Sequence, residues 1–467
     1  MTSRSALGLS LIVVVVALGA VVGFQALTGD DSQVRDHATA SYLAALPGEA
    51  VPSGSVFEVD IVAAPAVAEF SDDLSVEVWA YNGTVPGPEL RVALGDTVVV
   101  NFENQLPQAT SIHWHGIRVP NSMDGVPGVN QAPVEPGESF RYEFVPKDAG
   151  TFWFHSHNRG SEQIERGLYG SVVVVDPAEP TYDRDLVWMI DDVLLDGDVV
   201  VEDFNDAHET THNGRWGNVV TLNGRVAPTI DVNPGERVRI RLVNASNARV
   251  IAPEFPGLDP IVIAVDGTLV RQPFSGQGFV MAPGNRVDLD ITLPDAEQQI
   301  VVAEDFNGEG FDIATLNIRG SSADTPTFAA PVNDAIPRSD ITSGLGIDHE
   351  YSLDYIPDSS GPKWGFNGRT FAETETLSVD AGELVTVRLS NGSQALHPIH
   401  LHGQFFQVTA IDGVAVDNGH LRDTVLVYPG ENIDLAMTPV DVGTWAVHCH
   451  IQEHAEAGMM TLLEVDP

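Results

Sequence analysis

Apolar and polar residues alternate along most of this chain. Arg237-Val238-Arg239-Ile240-Arg241-Leu242 is the plainest case, and Leu384-Val385-Thr386-Val387-Arg388-Leu389 is another. Successive side chains on a strand point to opposite faces, so a period of two predicts strands with one buried face. Past residue 45 such runs recur, rich in β-branched residues and divided by Pro, Gly and Asn. Those dividers are turn formers, and the chain there reads as all-β with no long amphipathic helix.

The alternation is organised in a repeat. Tyr81-Asn82-Gly83 leads to the run from Thr97, Leu222-Asn223-Gly224 to the run from Arg237, and Phe366-Asn367-Gly368 to the run from Leu384. Each Asn-Gly pair is a tight-turn signal. A second turn follows in each unit: Glu135-Pro136-Gly137, Ala282-Pro283-Gly284 and Tyr428-Pro429-Gly430. The spacing is about 140 residues, which suits a Greek-key β-sandwich. The expected organisation is a leader plus linker over 1–45, then sandwiches over 46–177, 178–325 and 326–467.

The leader begins Met1-Thr2-Ser3-Arg4 and carries an apolar run from Ala6 to about Leu27. A run of ~20 apolar residues can span a bilayer. It is either a signal peptide or a membrane anchor through residues 6–28, and both imply export to the cell envelope or beyond. Ala38-Thr39-Ala40 has the residue types of a cleavage site but lies far downstream of the apolar core.

Composition narrows the function classes. The formal net charge is −43, and Lys occurs only at 147 and 363. Such a surface repels phosphate, so nucleic acid is excluded as a partner. One cysteine, Cys449, excludes an internal disulfide. A monomer acting on small molecules is the expectation.

The histidines fall on the repeat. His155-Ser156-His157 in the first unit matches His448-Cys449-His450 in the third, and His113-Trp114-His115-Gly116 matches His400-Leu401-His402-Gly403. The middle unit has no His at either place, which makes it a spacer between the other two. Residues at i and i+2 on a strand share a face. Eight paired imidazoles exceed what one zinc site needs and suit a multinuclear cluster. Cys449 must point away from His448 and His450, so one strand serves two sites back to back. On its own face Cys449 would join His454, Met459 and His397, the ligand types of a blue copper site. The same alternation excludes His448 or His450 as a base for a nucleophilic Cys449.

These four motifs resemble those of the three-domain multicopper oxidases: laccases, exported copper-tolerance oxidases and bilirubin oxidases. The resemblance runs over about residues 55–467, with all four motifs in family order. It implies three cupredoxin-like domains and about four copper ions. His397, Cys449, His454 and Met459 would hold the type 1 ion, and His113 and His400 the type 2 ion. His115, His155, His157, His402, His448 and His450 would hold the type 3 pair. It further implies single-electron oxidation of a small reducing substrate, entering at an exposed edge of His454 or His397. The electrons would pass through Cys449, His448 and His450 to reduce O2 to water. Asp124 stands where the family places an acid beside the water channel. The carboxylate some relatives carry after the last type 1 His is Ala455 here, with Glu453 or Glu456 as substitutes.

Phenols, in the manner of laccases, are the expected donors, with Cu(I), Mn(II) or Fe(II) as the alternative. The chain has seven Met in all and no Met-rich insert of the kind that marks the cuprous oxidases. The full ligand set argues against a non-enzymatic envelope protein of the same fold, and ligands for three clustered ions argue against a nitrite reductase. His37, His208, His212, His349 and His420 read as surface or structural residues, and His208 and His212 lack a helical pattern around them. Asp423 is expected either to orient a ligand His or simply to begin a strand.

Overall fold

The computed structural model describes residues 31–46, 51–308, 310–342 and 344–467. The apolar segment 6–28 lies outside them. Among the described residues no helix is long and apolar enough to cross a membrane.

Among the described residues the strands pair into three two-sheet sandwiches. The first joins two four-stranded sheets, the second a six- and a four-stranded sheet, the third a six- and a five-stranded sheet. Each has its own core drawn from both of its sheets. The repeat is structural as well as sequential. Asn82, Asn223 and Asn367 have φ of 54°, 49° and 53°, and the following glycines have φ of 78°, 71° and 70°. Two successive left-handed residues make the hairpin turn that the Asn-Gly pairs predicted.

Each sandwich also contains two parallel pairings among antiparallel ones. In the third unit His349–Ile356 runs parallel to Val385–Asn391, and Leu377–Asp380 runs parallel to Met460–Asp466. The first unit repeats this with Val56–Ser71 beside Thr97–Asn104, and Leu90–Ala93 beside Tyr169–Val175. Parallel neighbours need crossovers, so the chain passes repeatedly between the two sheets of a unit.

The segment expected as linker folds otherwise. Helix α1 (Asp31–Ala45) lies against the third sandwich. Ala38, Tyr42 and Ala45 are buried against Ile336, Leu384, Phe405, Leu421 and Ala436. The Tyr42 hydroxyl donates to Gln407 Oε1 at 2.8 Å, and Arg35 meets Asp348 at 2.6 and 3.1 Å. Sequence pattern missed this helix because only three of its fifteen residues are buried, a stripe too narrow to set a clear period. Ala38, at the candidate cleavage site, is one of them.

The units are joined by polar contacts. Arg118 of the first sandwich is buried between Asp148 (2.7 and 2.9 Å) and Asp441 of the third (3.4 Å), and Lys147 meets Asp441 at 2.6 Å. Two shorter helices, α2 (Gly160–Gln163) and α3 (Ala207–Thr211), lie in connections of the first and second units, and α4 (Gln452–Glu456) follows the strand Gly443–Cys449.

Tyr42→Ala removes a buried ring and strands Gln407. It should cost about 3 kcal/mol and lower the first thermal transition, while Tyr42→Phe costs only about 1 kcal/mol. Differential scanning calorimetry checks both.

Candidate metal centre

Register brings the paired histidines together. His113–His115 pairs with Gly150–His155 so that His113 faces His155. His397–Leu401 pairs with Gly443–Cys449 so that His400 faces His448. The two halves are equivalent by the repeat, and they meet across the interface of the first and third sandwiches. Imidazoles from opposite halves stack: His113 on His402 with centroids 3.8 Å apart, and His115 on His400 at 3.7 Å.

Seven of the eight rings are buried and His157 is half-buried. Their donor atoms form three groups, each within mutual reach of one ion: His113, His115 and His400; His115, His155 and His450; His157, His402 and His448. Four of the rings are oriented by Nδ1 donating to a backbone carbonyl. His113 Nδ1 donates to the Asp124 carbonyl (2.8 Å) and His400 Nδ1 to the Asp423 carbonyl (3.0 Å). His155 Nδ1 donates to the Ser156 carbonyl, and His448 Nδ1 to the Cys449 carbonyl, both at 2.8 Å. The Nε2 atoms of His113, His155, His400 and His450 are buried with no hydrogen-bond partner, as is His115 Nδ1. Several orphaned lone pairs converging on one space are costly unless an ion takes them up.

Two carboxylates complete the pattern, and they are related as the two halves are. Asp124 reaches His113 Nδ1 of its own half (3.3 Å) and His402 Nδ1 of the other (2.9 Å). Asp423 reaches His400 Nδ1 of its own half (3.4 Å) and His115 Nε2 of the other (3.2 Å). Asp423 therefore orients one imidazole of each half, and it also directly precedes the strand Thr424–Val427. Burial alone would raise both carboxyls. His402 and His113 outweigh it at Asp124, and Arg286 with His400 at Asp423, so both stay ionised well below the usual range. Burial, with the crowding of imidazoles, pushes His115, His155, His402, His448 and His450 far below their ordinary range and His157 to about 3. Neutral imidazoles are what a metal requires.

The middle sandwich contributes more than spacing. Its Arg286 donates to Asp423 at 2.8 and 2.6 Å and to the Thr151 carbonyl at 3.2 Å, tying all three units at the site. A side chain at Gly284 (φ 89°) would put its Cβ 2.9 Å from His115 and 3.0 Å from His450. Sequence reading missed both residues because the unit carries no ligand. The Pro283-Gly284 turn, aligned with the other two repeats, was the available signal.

The strand alternation sends Cys449 the other way. Its Sγ lies 3.7 Å from His397 Nδ1 and 3.7 Å from His454 Nδ1. Met459 is buried in the same core, and its carbonyl accepts the Cys449 N–H at 3.1 Å. Burial pushes the thiol up and holds His454 at about 3, so the free pair stays neutral until a metal displaces the thiol proton. His397 Nε2 is held by Ser393 Oγ (3.0 Å), and His454 Nε2 donates to the His212 carbonyl (2.8 Å). A sulfur and two imidazoles with free Nδ1 atoms fit a copper ion well.

The expected exposed ring edge is absent: His397 and His454 are both wholly buried. Trp364 packs on them with centroids 4.8 and 4.5 Å away, and the His212 carbonyl in the turn after α3 meets His454 Nε2 at 2.8 Å. His208 and His212 do lie on a helical turn, contrary to expectation; it spans only five residues, too short to leave a pattern. His37 and His349 are exposed, and His420 is buried against Arg422 at 2.7 Å. Glu453 is buried with both carboxyl oxygens unpartnered, and burial pushes it up to about 8. Glu456 is exposed and accepts from Ser161 N (2.9 Å) and Asn205 Nδ2 (3.0 Å).

Comparison with known proteins agrees with this geometry. Models of multicopper oxidase domains match residues 64–179, 193–317 and 348–467. The chain is 29% identical to the multicopper oxidase MmcO of Mycobacterium tuberculosis, over 88% of each protein. It is 26% identical to Laccase-1 of Cryptococcus neoformans var. grubii, over 89% of this chain and 81% of that one. The crystal structure of a multicopper oxidase from Pseudomonas thermotolerans superposes with a TM-score of 0.79 at 31% identity, covering 88% of this chain and all of the other. Three such domains in tandem, spanning nearly the whole described chain, place it in the multicopper oxidase family, whose members are copper-dependent oxidoreductases of cupredoxin fold.

Proposed function

We propose that Cys449, His397, His454 and Met459 hold the type 1 copper of this oxidase. His113 and His400 hold the type 2 ion; His115, His155 and His450 hold one ion of the type 3 pair, and His157, His402 and His448 the other. The observation that carries this is the separation of donors. The thiol and two imidazoles group on one face of the strand, and the eight imidazoles divide into three groups on the other. Copper bound there supplies one-electron transfer on the Cys449 side and four-electron reduction of O2 to water on the histidine side.

The protein's own residues do the rest. The Cys449 peptide is the connection, since His448 and His450 are its covalent neighbours. Asp124 and Asp423 each hold one imidazole from each half in a fixed tautomer. Asp124 also stands where protons consumed by O2 reduction can be delivered, and Asn130 Nδ2 holds its carboxylate at 3.0 Å. Small phenols are the proposed donors, a reading supported by the likeness to a laccase and by the small Met content. Because neither ligand ring is exposed, the donor gives its electron across the α3 turn or Trp364 rather than by touching His454. Metal ions are the second reading, favoured by the exposed His208 and His212 on that turn. The apolar segment at residues 6–28 supports an exported enzyme, released or tethered.

The copper-loaded protein should hold about four coppers per chain and show the intense blue absorption of a copper–thiolate bond. Cys449→Ser should remove that absorption and one copper, and abolish O2 uptake with a phenol. A colourless, copper-poor protein after reconstitution would sink the assignment.

Asp124→Asn and Asp423→Asn each leave two imidazoles without their carboxylate. Turnover or copper retention should fall roughly 10- to 100-fold in each. An oxygen electrode and metal analysis read the two effects separately, and unchanged values in both would remove the positioning role.

A further inference from the structure

The turn that covers the Cys449 site carries chemistry of its own. Helix α3 contains His208-Glu209-Thr210-Thr211, and His212 follows as its C-cap. Histidines four apart lie on one face of a helical turn. Here the two rings stack with centroids 4.3 Å apart and planes at 23°, and both side chains are exposed. Asp206 fixes the turn by accepting from the N–H groups of His208 (2.8 Å) and Glu209 (3.2 Å). His212 Nδ1 donates to the His208 carbonyl at 2.8 Å, which holds the ring through one nitrogen and leaves Nε2 as the second. This is how protein ligands are oriented for a metal.

The same residue touches the buried site. The His212 carbonyl accepts the Nε2–H of His454 at 2.8 Å, while its ring faces water. The Thr210 carbonyl accepts from Trp364 Nε1 at 2.6 Å, so α3 is docked on the ring that packs against His397 and His454. We propose that His208 and His212 form a docking site for an oxidisable first-row cation, copper(I) or iron(II), whose electron crosses the His212 peptide to His454. The electron-transfer part rests on reading Cys449, His397 and His454 as the electron-accepting site.

The ligand set selects the cation class. Imidazole suits copper and iron, whereas manganese favours carboxylate and water. Among the described residues no third His, Cys, Asp or Glu side chain joins the pair in a ligand group. A resident catalytic zinc would need three protein ligands, so the resemblance to a zinc-protease motif ends at the spacing. Two ligands hold an ion weakly, and a substrate site must release its product. Glu202, Asp203, Asp206 and Glu209 lie in the same segment of a chain with net charge −43, a field that concentrates cations there. Each bound ion loses one electron, Cu(I) to Cu(II) or Fe(II) to Fe(III). No protein bond changes, and O2 is the terminal acceptor.

The test uses the copper-loaded enzyme with Zn(II) as a redox-inert probe. Equilibrium dialysis should find a bound Zn(II) that the double variant His208→Ala with His212→Ala loses. Zn(II) should also compete with Fe(II) in steady-state oxidation. In the double variant the KM for Fe(II) should rise by at least the ~10-fold typical of a lost metal-site contact, and the ratio of kcat/KM for Fe(II) to that for a phenol should fall equally. Zn(II) binding unaltered by the two substitutions, or an unchanged Fe(II)-to-phenol ratio, would overturn the proposal. The zinc measurement needs no electron transfer, so it reads the docking site even if the Cys449 assignment fails.

Discussion

The alternation of side chains along the strand Gly443–Cys449 is the constraint on which the rest depends. It sends the Cys449 thiol to one face and the His448 and His450 imidazoles to the other. Two metal environments of different softness are thereby built from three consecutive residues. A sulfur site suited to single electrons and an imidazole site suited to several ions stay separate, yet share a peptide. A one-residue slip of register would exchange the two faces and destroy both.

Such a strand can work only if both faces are closed. Eight imidazoles crowded together, seven of them buried, are unfavourable by themselves, because orphaned lone pairs meet there without solvent. The fold offsets this with Asp124 and Asp423, each bracing one ring from either half. Those carboxylates need counter-charges in turn. Arg286 supplies one at Asp423 and comes from the unit that has no ligands. The middle sandwich is therefore part of the site, and Gly284 lets its backbone approach His115 and His450 closely.

The Cys449 side is closed differently. Trp364 packs on the His397 and His454 rings, and α3 with the turn after it holds both Trp364 and His454 by hydrogen bonds, so neither imidazole reaches solvent. Burial keeps the imidazoles and thiol neutral until metal binds, and separates the choice of donor from the chemistry of O2. α1 extends the same principle at the far edge of the third sandwich, covering apolar surface that the strands leave open.

Much of this was legible in the sequence because it is local. Period-two runs, Asn-Gly turns and i, i+2 histidines each occupy a few neighbouring residues, and their recurrence at a fixed spacing revealed three sandwiches and the histidine pairs that come together. Strand alternation alone separated Cys449 from His448 and His450. What the sequence left open depends on contacts between distant segments. That Asp124 and Asp423 play matching roles follows only when the first and third units face each other. The burial of His454 involves the turn after α3, whose His212 lies 242 residues earlier in the chain. α1 and α3 carry too few buried positions to announce themselves as helices, and Arg286 and Gly284 matter only through what packs beside them. Local periodicity determined the elements and the pairing of the histidines; tertiary packing decided which residues orient those rings and which bury them.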